Sequence, residues 1–98
     1  MTLARARAYA RLMRTLDDLG AAELLSSEQA LIRRAADALL FSADIVGDRS
    51  ARAAFAEFDE LCELLIASGR WTAARAAALA DDVWACGPPL NVLLPRAA

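Results

Sequence analysis

The stretch from residue 50 to residue 68, SARAAFAEFDELCELLIAS, decides the fold class. Its large apolar residues return at intervals of three and four, which is the spacing of one face of an α-helix. These residues are Phe55, Phe58, Leu61, Cys62, Leu65 and Ile66. The alternating β-branched runs that indicate strands occur nowhere in the sequence. The stretch therefore predicts a long amphipathic helix that is capped by Asp48 or Ser50 and ended by Gly69.

Two earlier segments repeat this helical period. The first helix is predicted over residues 2–19, and Gly20 ends it as a C-cap that tolerates the left-handed conformation. Its apolar face comprises Tyr9, Leu12, Leu16 and Leu19. The second helix is predicted over residues 27–43, where Ser26 and Gln29 have the spacing of a capping box. We expect its inner face to comprise Ile32, Ala35, Ala36, Leu39 and Ala43, widened by Leu31, Leu40 and Phe41.

The last helix is predicted over residues 73–85, with Thr72 as its N-cap and the sequence Gly87-Pro88-Pro89 as its stop. Its inward residues are Ala76, Leu79, Ala80 and Val83. Because short connections favour antiparallel neighbours, we predict an all-α fold, a small antiparallel bundle of four main helices. Residues 1–98 form one domain, and residues 87–98 form an extended, non-helical, apolar C-terminal tail. Leu39 and Phe58 are expected at the centre of the core.

The composition excludes several functions. The 98 residues contain no histidine and no lysine, so the usual general base and the Schiff-base amine are missing. Alanine accounts for 25 residues, and the net charge is −2. The longest stretch without a charge contains three prolines and is shorter than the roughly 20 apolar residues that a bilayer requires. With no apolar segment of a signal peptide near Met1, we expect a cytoplasmic protein that does not contact a membrane.

No pattern of catalytic or metal-binding residues is present. The two cysteines, Cys62 and Cys86, are 24 positions apart and form no CxxC motif. We expect Cys62 to act as a small buried hydrophobe. The carboxylates between Glu57 and Glu63 lack the Glu-x-x-His pairs of a di-metal bundle, so we interpret them as a solvated face. We therefore expect no enzyme activity, no catalytic residue, no metal and no cofactor.

Nucleic-acid binding is the alternative function. Residues 63–83 have the layout of a helix-turn-helix, but their second helix offers Arg75 alone against Asp81 and Asp82. Acidic groups facing phosphates are repelled, so we interpret this segment as an ordinary helical hairpin. The first helix is the better candidate, because Arg7, Arg11 and Arg14 share one face, with Arg5 at its start.

The charges run against the helix dipoles. Cations favour helix C-termini and anions favour N-termini, yet Arg5, Arg7 and Arg11 begin the first helix while Asp17 and Asp18 end it. Two explanations remain open. Either the opposite ends of antiparallel neighbours compensate these charges, or the basic end meets an acidic partner.

The C-terminal tail is the second candidate for partner binding. Four large apolar residues follow the double proline, namely Leu90, Val92, Leu93 and Leu94. Four such side chains require a cover, either on the same bundle or on a second chain. We expect the tail to lie across its own bundle and to contribute to an interface. The predicted function is a small non-catalytic protein-interaction or accessory subunit that binds itself, as a homodimer, or another protein.

Overall fold

The computed structural model describes residues 2–45 and 47–87, and this part of the chain contains four α-helices and no strand. The helices are α1 (Leu3–Glu23), α2 (Ser26–Leu40), α3 (Arg49–Ala67) and α4 (Ala73–Trp84). The predicted all-α class is confirmed. The predicted tail beyond Gly87 lies outside the described residues.

Contacts at the two ends of the helices establish the topology. Arg5, at the start of α1, reaches Leu39 at the end of α2 and Cys86 just beyond α4. At the other end, Arg70 before α4 binds Glu28 in the first turn of α2. Successive helices therefore run antiparallel. Helices α1 and α3 each pack against α2 and α4, and α2 and α4 also pack against each other.

The core contains the predicted central residues, since Leu39 and Phe58 are fully buried. Cys62 is buried as expected. Phe41 was predicted to be part of the inner face, but α2 ends at Leu40 rather than at residue 43, and Phe41 is 75% exposed. The prediction is also wrong for Ile66, which is 40% exposed at the edge of the α3 stripe.

Side-chain caps begin three of the helices. Asp48 accepts a hydrogen bond from the backbone N–H of Ala51 at 3.0 Å, and Thr72 accepts one from Arg75 at 3.1 Å. Both caps were predicted, and Thr2 caps α1 in the same way. The predicted capping box, Ser26 with Gln29, lies one residue beyond the observed one.

The N-cap of α2 is Leu25, and its backbone N–H donates to a Glu28 carboxylate oxygen at 2.8 Å. In this register, Leu24 is fully buried and Glu28 is only 8% exposed. The Glu28 carboxylate therefore accepts the N–H of Leu25 and also pairs with Arg70.

Gly20 interrupts α1 with the positive φ that its predicted role at the helix end requires. Its φ of 60° and ψ of −168° lie in a region that is open almost only to glycine. The chain then makes one further helical turn, which is closed by a hydrogen bond from the N–H of Leu24 to the carbonyl of Gly20. Helical structure thus continues to Glu23, beyond the predicted end at residue 19, after the interruption at Gly20.

Candidate interaction surfaces

Arg5 joins three helices at one end of the bundle. Its Nε donates to the carbonyl of Cys86 at 3.0 Å, and its Nη2 lies 2.7, 2.9 and 2.8 Å from the carbonyls of Leu39, Leu40 and Ser42. These carbonyls lie at or just beyond the ends of α2 and α4, where the dipole is negative, and the carbonyl of Leu39 also accepts the N–H of Ser42. The geometry supports the first explanation of the charge pattern, in which neighbouring helices compensate Arg5. Its Nε and Nη2 donors are therefore engaged within the bundle.

Arg70 has the matching role at the opposite end. Its two terminal nitrogens bind the Glu28 carboxylate at 2.7 and 2.9 Å, and Nη2 also lies 3.3 Å from the carbonyl of Glu23. The hydrogen bond from Arg70 is the main cause that lowers the pKa of Glu28, against the opposing effect of burial. The N–H of Leu25 lowers this pKa further. A mostly buried carboxylate is thus kept ionised at the start of α2.

Trp71 and Arg75 form the rim of a groove between α1 and α4. The indole Nε1 of Trp71 donates to the carbonyl of Glu23 at 3.4 Å. The Arg75 guanidinium lies 4.2 Å from the centroid of the indole ring and 2.8 Å from the Glu23 carboxylate. Both side chains are therefore fixed against the end of α1 by a hydrogen bond, an ion pair and a cation–π contact.

A cavity of about 140 Å³ lies within this groove. Its walls are mainly apolar and come from α1, from α4 and from Trp71, which lies two residues before α4. The lining residues are Thr15, Leu19, Trp71, Arg75, Ala78, Leu79 and Asp82. Ligand pockets for drug-sized molecules occupy roughly 300–1,000 Å³, whereas a cavity of about 150 Å³ holds one benzene ring. The cavity therefore has the size of a single side chain.

The predicted basic face is present on α1. Arg7, Arg11 and Arg14 are all exposed, at positions i, i+4 and i+7. None of the three forms an ion pair with a carboxylate in the part of the chain that the structure describes. By contrast, Arg33 and Arg34 on α2 pair with Asp17 and Glu57. Arg7, Arg11 and Arg14 thus keep their guanidinium groups available to an anion.

Two large apolar side chains are exposed at the end of the bundle that Arg5 closes. Leu3 is 67% exposed and Phe41 is 75% exposed. The described chain leaves at this same end, where a Cβ added to Gly87 would lie 3.3 Å from side-chain atoms of Leu39. The other predicted binding residues, Leu90, Val92, Leu93 and Leu94, lie outside the described residues.

The cysteines form no redox pair. Cys62 and Cys86 are both free and buried, and burial raises the pKa of each thiol to about 11. Residues 2–45 and 47–87 contain no cluster of three or more histidine, cysteine or acidic side chains arranged to hold a metal ion. No helix in this part is both long and apolar enough to cross a bilayer.

The contacts of Arg70 and Trp71 were not predicted from the sequence. Trp71 precedes the N-cap Thr72, the position from which a hydrophobic staple packs against the fourth helical residue, here Ala76. Both Trp71 and Ala76 are buried. That local signal could have identified Trp71 as a core residue. The partners of Arg70 are more than 40 positions away, so no local pattern identifies them.

The chain matches no protein-family model, no curated protein and no solved structure.

Proposed function

We propose that this protein is a small, non-catalytic, cytoplasmic accessory subunit that self-associates as a homodimer through one end of its bundle. The observation that carries the proposal is the exposure of Leu3 and Phe41 at the same end. Each such side chain contributes about 1.5–3 kcal/mol when it is withdrawn from water. An exposed pair on a small domain is a surface that a partner can cover.

A second copy of this chain is the partner that fits this surface. A two-fold interface brings the same patch of each subunit together, and an apolar patch is complementary to itself. The Arg5 guanidinium at this end already donates to four carbonyls, so it does not have to be desolvated without partners when two copies approach. A chain of 98 residues with 25 alanines has a thin core, and association is a usual remedy for small domains.

Light scattering on point variants tests this surface. Phe41→Ser should weaken self-association at least about tenfold, because it removes the larger of the two apolar contacts. Leu64→Ser is the matched control, since Leu64 is 59% exposed on α3 and distant from this end. Equal masses for both variants across the same concentrations would contradict the proposed surface.

The alternative function, a nucleic-acid-associated regulator, is favoured by one observation, the unpaired row of Arg7, Arg11 and Arg14. Fluorescence anisotropy with a labelled duplex tests it. Phosphate binding would weaken steeply with salt, and each arginine replaced by glutamine would reduce the salt slope by about 1. The net charge of −2 opposes this function, so we expect only weak binding at physiological salt.

A further inference from the structure

The α1–α4 cavity has the dimensions to hold one aliphatic side chain, and the walls around it are fixed. Trp71 is held by the carbonyl of Glu23, and Arg75 by the Glu23 carboxylate. Leu79 forms part of the wall and is buried, while Ala78 is exposed at the opening. A preformed apolar cavity of this size gains contacts when a leucine or valine enters it.

The described chain ends at one end of the bundle, close to the start of α1. The Cys86 carbonyl accepts a hydrogen bond from Arg5, which belongs to α1 and therefore to the helix that forms the other wall. The backbone at Gly87 packs closely on Leu39. Whatever follows residue 87 thus starts next to α1 at the end of the bundle.

The length of the following segment matches the distance to the cavity. A helix rises about 1.5 Å per residue, so Ala78 lies about 14 Å along α4 from Gly87. An extended or polyproline chain advances about 3.1–3.3 Å per residue, so a chain that turns back at Gly87 could carry Val92 or Leu93 up to about 16–20 Å, which is enough to reach the cavity. Pro88 and Pro89 prevent a continued helix and favour such an extended path.

We propose that the α1–α4 groove is the binding site for this chain's own segment 88–98, and that the cavity holds an apolar side chain from Val92–Leu94. The side chains of Leu3 and Phe41 are exposed rather than recessed, so a leucine gains more contacts inside the α1–α4 cavity than on that end. Binding is intramolecular, and the apolar end stays free for a second copy. This inference does not rest on self-association, and each proposal can fail alone.

Disulfide trapping in the full chain tests the proposal. The variant Ala78→Cys with Val92→Cys places one thiol at the cavity and one beside Leu93. The matched control is Ala77→Cys with Val92→Cys, because Ala77 is also exposed on α4 but points about 100° away and does not line the cavity. The native cysteines are buried and their pKa values are raised, so they stay reduced at neutral pH.

With oxidised glutathione, we expect the Ala78→Cys pair to close an intrachain disulfide at least about tenfold faster than the Ala77→Cys pair. Adding Leu93→Ser and Leu94→Ser should abolish most of that difference, whereas adding Asn91→Ser should preserve it. Equal rates for the two pairs would overturn the proposal. A covalent dimer as the main product would overturn it as well, since it would assign the groove to a second copy.

Because the two surfaces differ, the outcomes separate the proposals. Trapping at Ala78 in a monomeric protein would support the groove and refute the homodimer. If Phe41→Ser lowers the mass in solution and the Ala78→Cys pair forms no faster disulfide than its control, the homodimer would be supported and the groove refuted.

Discussion

Replacing Arg5 by methionine should destabilise the bundle more than replacing any other arginine of α1. Methionine keeps the apolar stem but removes the donors that bind Cys86, Leu39, Leu40 and Ser42. A hydrogen bond to a charged group contributes about 1.5–3 kcal/mol. Nη2 offers two hydrogens to three carbonyls, and water can reach this half-buried site. We therefore expect a total loss of about 2–4 kcal/mol rather than the sum of four bonds.

Urea unfolding followed by circular dichroism measures this loss, and a thermal scan should show a fall in Tm of about 10 °C or more. Arg5→Lys keeps the charge but not the fork of donors, so it should recover about half of the stability. Arg7→Met is the control on the same helix, with an expected change below about 0.5 kcal/mol. If Arg5→Met were no less stable than Arg7→Met, the contacts of Arg5 would not hold the three helices together.

Four further predictions concern the core, acid stability, the thiols and metal content. Phe58→Ala should cost about 2–5 kcal/mol of unfolding free energy, because Phe58 is fully buried, and an unchanged urea midpoint would show that the core is misplaced. The folded-state pKa of Glu28 lies below its ordinary value of 4.5, so its ion pair with Arg70 stabilises the fold above that pH and is lost as pH falls through the lower value. The stability difference between wild type and Arg70→Gln should therefore shrink between about pH 6 and about pH 3, and a constant difference would contradict the pairing. At about pH 8 a thiol of pKa about 11 is ionised to about one part in 10³, so Cys62 and Cys86 should react with a thiol reagent only after unfolding. Fast labelling of the native protein would refute their burial. Elemental analysis should find no stoichiometric transition metal, and one metal per chain would overturn that expectation.

The sequence predicts what depends on local spacing. The stripe of α3 and the caps Asp48 and Thr72 were found because period and capping chemistry act within a few residues. The start of α2 was displaced by one residue because Glu28 and Gln29 are both able to return to a backbone N–H, and the contact of Glu28 with Arg70, which favours Glu28, is distant in sequence.

The candidate surfaces were less predictable, since they depend on residues that are distant in sequence. Phe41 continues the apolar period of α2, so only the observed helix end explains its exposure. The cavity requires α1 and α4 to lie side by side at a given register, which no pattern within either helix encodes. The basic face of Arg7 and Arg11 could be predicted, because it needs only the helical period.

Sedimentation equilibrium of the full chain over a wide concentration range tests the central claim of self-association most directly. The account predicts a mass that rises from one chain of 10.5 kDa to twice that value and changes little between about 50 and 200 mM salt, because the interface is apolar. A mass of one chain at every concentration would contradict it.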